Sequence, residues 1–471
     1  MWYNLKMNKV TLWVIGGGLI LVLVVFIGGY YVTRDSAKNS IITPASRIDQ
    51  TVGQNSGPVT KVLAKHLNVN GCSEEPITFA LKGNRVAYIR CSDSGEVTIV
   101  DGDIANSVKA LSLIGRPHIS SDGSRIAYVI DRQIEKGKVD PQGFSSGGKF
   151  HQYVIDNMTE GMGYDGINGL LFSQSGKSLA YAVNGGGGSF IVINSKEGKR
   201  YDHVSDPLFM FGAEQVIYLA KQGKNWFVVS DDKEEKSFND PKTLTISANG
   251  KVVAYTANEN GESFVVVNGK KDETTKEKGV IDELTLSRDG ESFAYRVKEG
   301  EKVHYVFNGK AGENYDIVHF LTISQDGKRF AYIASSYVGS DGNKHASIIV
   351  DGKEIAKLDN VNLFKIIFSS NGKNIAYTYF TKRENKFYAR VVVNGEDQKE
   401  YEGGIDLYSF TPDNKDVVYV AKESDKIMLV IGTKEYKKFD RIWTPSISQD
   451  GSTVSYGAKD GAKLLWVTEK I

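Results

Sequence analysis

The residues of this chain that could do chemistry are few and scattered. Cys72 and Cys91 are the only cysteines. They flank a first hairpin whose turn is expected near Lys82–Asn84, which sets Glu75 opposite Cys91 and Cys72 at the same end of the pair. A disulfide there would stabilise the first unit in an oxidising compartment; the competing reading is two unpaired thiols. Seven histidines (His66, His118, His151, His203, His304, His319 and His345) form no His-Glu-x-x-His and no paired Cys/His spacing, so no metal site is expected. Recurring turn residues (Asp122, Asn249, Asp289, Asp326, Asn371, Asp450) invite a calcium reading. Tight turns demand Asp-Gly or Asn-Gly in any case, and no Asp-x-Asp-x-Asp-Gly loop with a distal glutamate is present. The Gly185–Gly188 run lacks the helix start and the Lys-Ser/Thr of a phosphate cradle. Gly143–Gly147 (GFSSG) matches Gly-x-Ser-x-Gly in letters, but it falls in an insertion between strands and not at the strand-to-helix turn that a nucleophile elbow needs. Acidic residues abound, but spacing alone pairs no two of them for glycoside hydrolysis. No catalytic residue and no cofactor is expected.

The elements that would position any site are easier to read. The 471 residues are 41% hydrophobic, 24% charged and 11% aromatic, a globular composition. A net charge of +1 gives no basic field, which disfavours a nucleic-acid partner. Glycine is frequent (49) and proline scarce (9), which suits many tight turns between extended segments.

One pattern recurs beyond residue 60. Its clear copies are ISSDGSRIAYV (Ile119–Val129), FSQSGKSLAYA (Phe172–Ala182), ISANGKVVAYT (Ile246–Thr256), LSRDGESFAYR (Leu286–Arg296), ISQDGKRFAYI (Ile323–Ile333), FSSNGKNIAYT (Phe368–Thr378) and ISQDGSTVSYG (Ile447–Gly457). Weaker copies are ALKGNRVAYI (Ala80–Ile89), FGAEQVIYL (Phe211–Leu219) and FTPDNKDVVYV (Phe410–Val420). The repeated tyrosines are Tyr88, Tyr128, Tyr181, Tyr218, Tyr255, Tyr295, Tyr332, Tyr377, Tyr419 and Tyr456. In most copies an apolar strand meets an Asp-Gly or Asn-Gly turn, and a second strand follows with a small Ala before the Tyr, leaving room for a neighbouring ring. A third apolar run (ESFVVVNGK, KVHYVFNGK) and a polar fourth segment (KRYDHV, ENYDIV) complete about 40 residues, the size of one four-stranded propeller blade.

The Ser-x-Asp-Gly-Lys-x-x-Ala-Tyr core with a following Val-x-Asn-Gly-Lys resembles the WD40-like repeat of bacterial TolB and of dipeptidyl-peptidase propeller domains. The resemblance covers roughly residues 60–471 and implies an all-β propeller. The chain lacks the small α/β domain of the first relatives, the hydrolase domain of the second, and the Gly-His and Trp-Asp dipeptides of true WD40 repeats. The expected fold is therefore all-β, a β-propeller of about ten four-stranded repeats over residues 61–471. The final unit stops after its third strand, and Pro58–Leu67 could supply the fourth, closing a single ring; two rings remain the alternative.

Ahead of the repeats, residues 1–9 read as a short tail, and Val10–Val32 runs 23 residues without a charge. As a helix it would span roughly 34 Å, enough to cross a bilayer. Residues 33–60 read as a flexible polar stalk. The expectation is a single-pass membrane protein with its propeller outside the cytoplasm, in a prokaryotic cell envelope. Two units are stretched, by Asp131–Phe150 and Ser335–His345, and loops of this kind carry binding. Gln142, Phe144, Lys149, Tyr337, Asp341 and His345 are the candidate binding residues, neutral loop drift being the competing reading. The function expected is binding or scaffolding of a protein or glycan partner through loops on one face, without catalysis. The alternatives are a hydrolase or lyase with dispersed residues in the central channel, and a sensor or assembly factor in an envelope complex.

Overall fold

The computed structural model describes residues 150–157, 159–185, 187–231, 233–335, 345–359, 361–448 and 450–471. Before these it describes the strand segments 59–64, 77–79, 86–91, 97–101 and 104–108, the stretch 112–133, and four two-residue strands between 6 and 19. Residues 1–55 and 56–471 form separate units.

The larger unit consists of ten antiparallel sheets, each a meander in which a strand pairs with the next in sequence. They cover residues 77–108, 112–164, 166–197, 203–236, 242–271, 280–311, 317–359, 362–402, 405–439 and 441–470. Each holds one of the ten repeated tyrosines on its second strand, from Val86–Cys91 in the first sheet to Thr453–Asp460 in the tenth. Two sheets carry a split strand: the first strand of the fourth (His203–Val204, Leu208–Phe209) and the last strand of the eighth (Glu396–Asp397, Tyr401–Glu402). The tenth sheet takes its fourth strand from the other end of the chain, since Val59–Ala64 pairs antiparallel with Lys463–Lys470. Its start absorbs Val59 and Thr60, the last residues of the stalk expected over 33–60; the rest of that stalk lies outside the described residues.

The Ala-Tyr pair explains how sheets stack. Successive residues of a strand face opposite sides, so a sheet with this pair offers a methyl group one way and a phenol ring the other; Ile217, Val418 and Ser455 take the alanine's place in the fourth, ninth and tenth sheets. Ala127 shares an apolar cluster with Tyr181 of the next sheet, Ala180 with Tyr218, Ala254 with Tyr295, Ala331 with Tyr377 and Ala376 with Tyr419. A second aromatic ring meets the repeated one edge-on from the preceding segment: Tyr201 on Tyr218 (6.3 Å), Tyr401 on Tyr419 (6.2 Å) and Phe439 on Tyr456 (6.0 Å). The buried phenols are then satisfied by glutamates: Tyr201 donates to Glu234 (2.6 Å), Tyr401 to Glu435 (2.8 Å) and Tyr295 to Glu277 (3.1 Å). Tyr128 breaks the rule. It is fully buried and its hydroxyl has no hydrogen-bond partner among the described residues, and burial, then Glu160, push its pKa to about 12. Seventeen residues before it, where Tyr164 precedes Tyr181, the sequence has Leu111. Tyr128→Phe is expected to raise stability by about 1 kcal/mol in urea unfolding, while Tyr295→Phe, which loses a made bond, lowers it by about 1 kcal/mol.

The two kinds of Asx-Gly turn differ. Between third and fourth strands both residues are left-handed, as in Asn268 (φ 46°) with Gly269 (φ 74°) and Asn308 (φ 45°) with Gly309 (φ 75°). The Asn side chain there also accepts from the start of the second strand, from Val253 N and Phe293 N (both 2.9 Å). Between first and second strands only the glycine has positive φ (Gly123, 75°; Gly290, 79°). Asp122 instead accepts from Ser120 Oγ (2.6 Å) and Ser124 N (3.0 Å), and Asp289 from Ser287 Oγ (2.6 Å) and Glu291 N (3.0 Å). These bonds hold the Asp122 carboxyl down at about 2. The serine hydroxyl makes a left-handed Asp unnecessary at these turns.

The membrane helix expected over Val10–Val32 is corrected. The described residues of that stretch are extended: Val10 pairs with Met7, Val14 with Leu19 and Ile15 with Gly18. Its β-branched residues favour strands, and the glycines between them lower helix propensity. Among the described residues no helix is long and apolar enough to cross a membrane, so the single-pass, cell-envelope localisation loses its basis.

Candidate functional site

First-to-second-strand turns of adjacent sheets touch. Ser121 Oγ donates to Gln174 O (2.6 Å), Gly212 N to Gln174 Oε1 (3.1 Å), Asn249 Nδ2 to Asp289 O (3.0 Å), Arg329 Nη1 to Gly372 O (2.8 Å) and Ser370 Oγ to Asn414 Oδ1 (2.7 Å). These turns therefore share one side, and the second-to-third-strand connections, at the other end of each meander, share the opposite side. Both stretched units carry their extra residues in that second connection, between Ile126–Gln133 and Phe150–Asp156 and between Phe330–Ser335 and His345–Val350.

Of the predicted binding residues, Gln142, Phe144, Lys149, Tyr337 and Asp341 lie outside the described residues. His345 opens a third strand and its Nδ1 is 2.6 Å from Asp359 Oδ1, a structural contact at the strand edge. Cys91 ends the second strand of the first sheet opposite Val97; Cys72 lies outside the described residues.

A site that the sequence reading missed opens on the same side. First strands in most sheets carry a β-bulge, and in the fourth sheet the strand is interrupted altogether at Ser205–Pro207. Pro207 has no N–H to give the ladder. The gap leaves a cleft of about 360 Å³ against the fifth sheet, lined by His203, Ser205, Asp206, Leu208, Leu219, Trp226, Pro241, Lys242, Thr243 and Leu244. That volume falls in the range of small-ligand sites. Ser205 Oγ accepts from Leu219 N (3.0 Å) and fixes the near wall. Trp226 faces His203 edge-on at 6.1 Å, and Lys221 Nζ lies 5.5 Å from the indole centroid. On the far wall Thr243 sits at φ 52°, the left-handed bulge conformation that Gly169 (62°) and Phe320 (57°) take in the first strands of their own sheets. Asp206 is exposed as a residue, yet the wall beside its carboxyl removes enough water to raise its pKa, with His203 acting the other way. Gly169 (φ 62°) lies behind it, where a Cβ would come 2.8 Å from the Asp206 side chain.

The sequence held a signal for this cleft: Asp206-Pro207 falls within the first strand of the fourth unit and Asp240-Pro241 just ahead of that of the fifth, and the fourth unit alone has Phe-Gly-Ala-Glu for its turn. Both look like repeat decay until the two strands are seen side by side.

No family model matches the chain, and no curated protein matches it in sequence. Solved structures similar to it include a eukaryotic initiation factor (11% identity, 74% of this chain and 96% of that one, TM-score 0.45). Others are the Dos1 propeller (9% identity, 87% and 93%, TM-score 0.34) and the β-propeller domain of the trilobed protease from Pyrococcus furiosus (14% identity, 56% and 92%, TM-score 0.29). The architecture stated above is read from the chain's own ten sheets and their pairing.

Proposed function

We propose that the ten sheets close into one ring and that the protein is a binding module, engaging a protein or glycan partner on the side of the second-to-third-strand connections, with the cleft between fourth and fifth sheets as its anchor. It binds and does not catalyse. Closure is supported by the shared tenth sheet and by Phe79 of the first sheet, which packs 5.3 Å from Trp443 and 6.2 Å from Trp466 of the last. The observation that carries the binding reading is the interrupted strand at Ser205–Pro207, which breaks the otherwise repetitive packing and leaves a cleft lined by a half-buried aromatic ring and a partly desolvated aspartate.

The test immobilises the full chain and compares what it retains from a cell extract and on a glycan array. Trp226→Ala removes the ring and Gly169→Ala crowds Asp206; both are expected to lose the retained species at least about tenfold, the effect of losing one buried contact. Lys328→Ala, in a turn on the opposite side, should keep it. Equal retention by all three would overturn the reading.

A further inference from the structure

The charged groups around the cleft differ in what holds them. Lys242 Nζ is paired with Asp240 Oδ2 at 3.0 Å, and Asp202 accepts from Gly223 N and Gln222 Nε2. Lys221, from the second strand, directs its ammonium at the face of Trp226. Asp206 is different: no hydrogen bond or ion pair reaches its carboxylate among the described residues, although it borders a wall containing Leu208, Leu219, Pro241 and Leu244. A carboxylate partly stripped of water gains most from a cation that brings its own donors. The apolar wall suits a methylene stem, and the indole already holds one ammonium within cation–π range.

We infer that this cleft takes the lysine or arginine side chain of a protein partner, its stem along Leu219 and Leu244 and its charged head between Asp206 and Trp226. The assignment rests on the cleft being the binding anchor. It favours a protein over a glycan, because a neutral sugar leaves the Asp206 charge uncompensated. Binding of a cation stabilises the ionised carboxylate, so affinity falls as the pH drops and Asp206 takes up a proton. The group that acts on it electrostatically is His203 on its own strand; around the same cleft stand Lys221, over the Trp226 ring, and Lys242, paired with Asp240 on the adjoining sheet.

The experiment titrates the full chain, by calorimetry, with the peptides acetyl-Gly-Lys-Gly-amide, its arginine counterpart, its Nε-acetyl-lysine counterpart and its norleucine counterpart. The lysine and arginine peptides are expected to bind, and the acetyl-lysine and norleucine peptides to bind about tenfold more weakly or not at all, matching the loss of one charged hydrogen bond. Asp206→Asn should erase the difference between lysine and norleucine without loss of folding. Equal affinity for charged and uncharged peptides, no binding of the lysine peptide, or an unchanged preference in Asp206→Asn overturns the assignment. If Trp226→Ala and Gly169→Ala still abolish partner retention when the lysine preference is absent, the cleft stands as the anchor and only the ligand class fails. If retention is also unaffected, both fail.

Discussion

Phe79→Ala is expected to lower the unfolding free energy by about 3–4 kcal/mol, the usual cost of removing a buried phenyl ring. Phe79 is 9% exposed and belongs to a cluster that joins Ile77 and Val86 of the first sheet to Leu464, Trp443 and Trp466 of the tenth. Opposite it stands Gly457, the one glycine to follow a repeated tyrosine; a Cβ there would come 2.7 Å from the Phe79 ring. Gly457→Ala should therefore destabilise the parent and be nearly neutral once Phe79 is alanine. The double-mutant cycle is expected to give a coupling of roughly 1–3 kcal/mol in urea unfolding. Independent, additive effects would show that the first and last sheets do not share a core, as in two separate rings.

Tyr332→Ala is expected to cost about 3–5 kcal/mol. The ring is 1% exposed and touches Tyr305 (5.0 Å), Phe330 (6.2 Å) and Tyr315 (6.4 Å), so little can collapse into the space it leaves. The reverse substitution one residue earlier is informative too: Ala331→Val pushes extra volume toward Tyr377 of the next sheet and should cost about 1–3 kcal/mol by overpacking. Chemical unfolding of both variants checks whether the Ala-Tyr pair works as a size match between sheets.

Much of this architecture was legible because it is repeated. The ten tyrosines marked ten second strands, the alanines before them marked the space for the next ring, and the missing last strand pointed to the Val59–Ala64 segment. What was hidden depends on pairs of units. Asp206 is a surface-type residue in its own strand, and only Gly169 of the previous sheet and Leu244 of the following one make its surroundings a cleft wall. Thr243 reads as an ordinary strand threonine, and its left-handed backbone comes from a bulge that its sequence does not announce. The apolar run at Val10–Val32 misled for a related reason. Hydropathy measures transfer out of water and is indifferent to whether the backbone is helical or extended, whereas β-branching and glycine are not.

The unequal faces of each sheet have a consequence for assembly. Where a phenol face meets a methyl face, as in the five pairs named above, the sheet-to-sheet contact is head-to-tail, and such a face is not complementary to an identical copy of itself. A fragment severed between sheets would bear two different cohesive ends and would join other fragments in chains instead of pairing as a two-fold dimer, the arrangement that yields rings when the rotation closes and filaments when it does not. The short strand Val59–Ala64 ties the start of the larger unit to its last sheet within a single polypeptide.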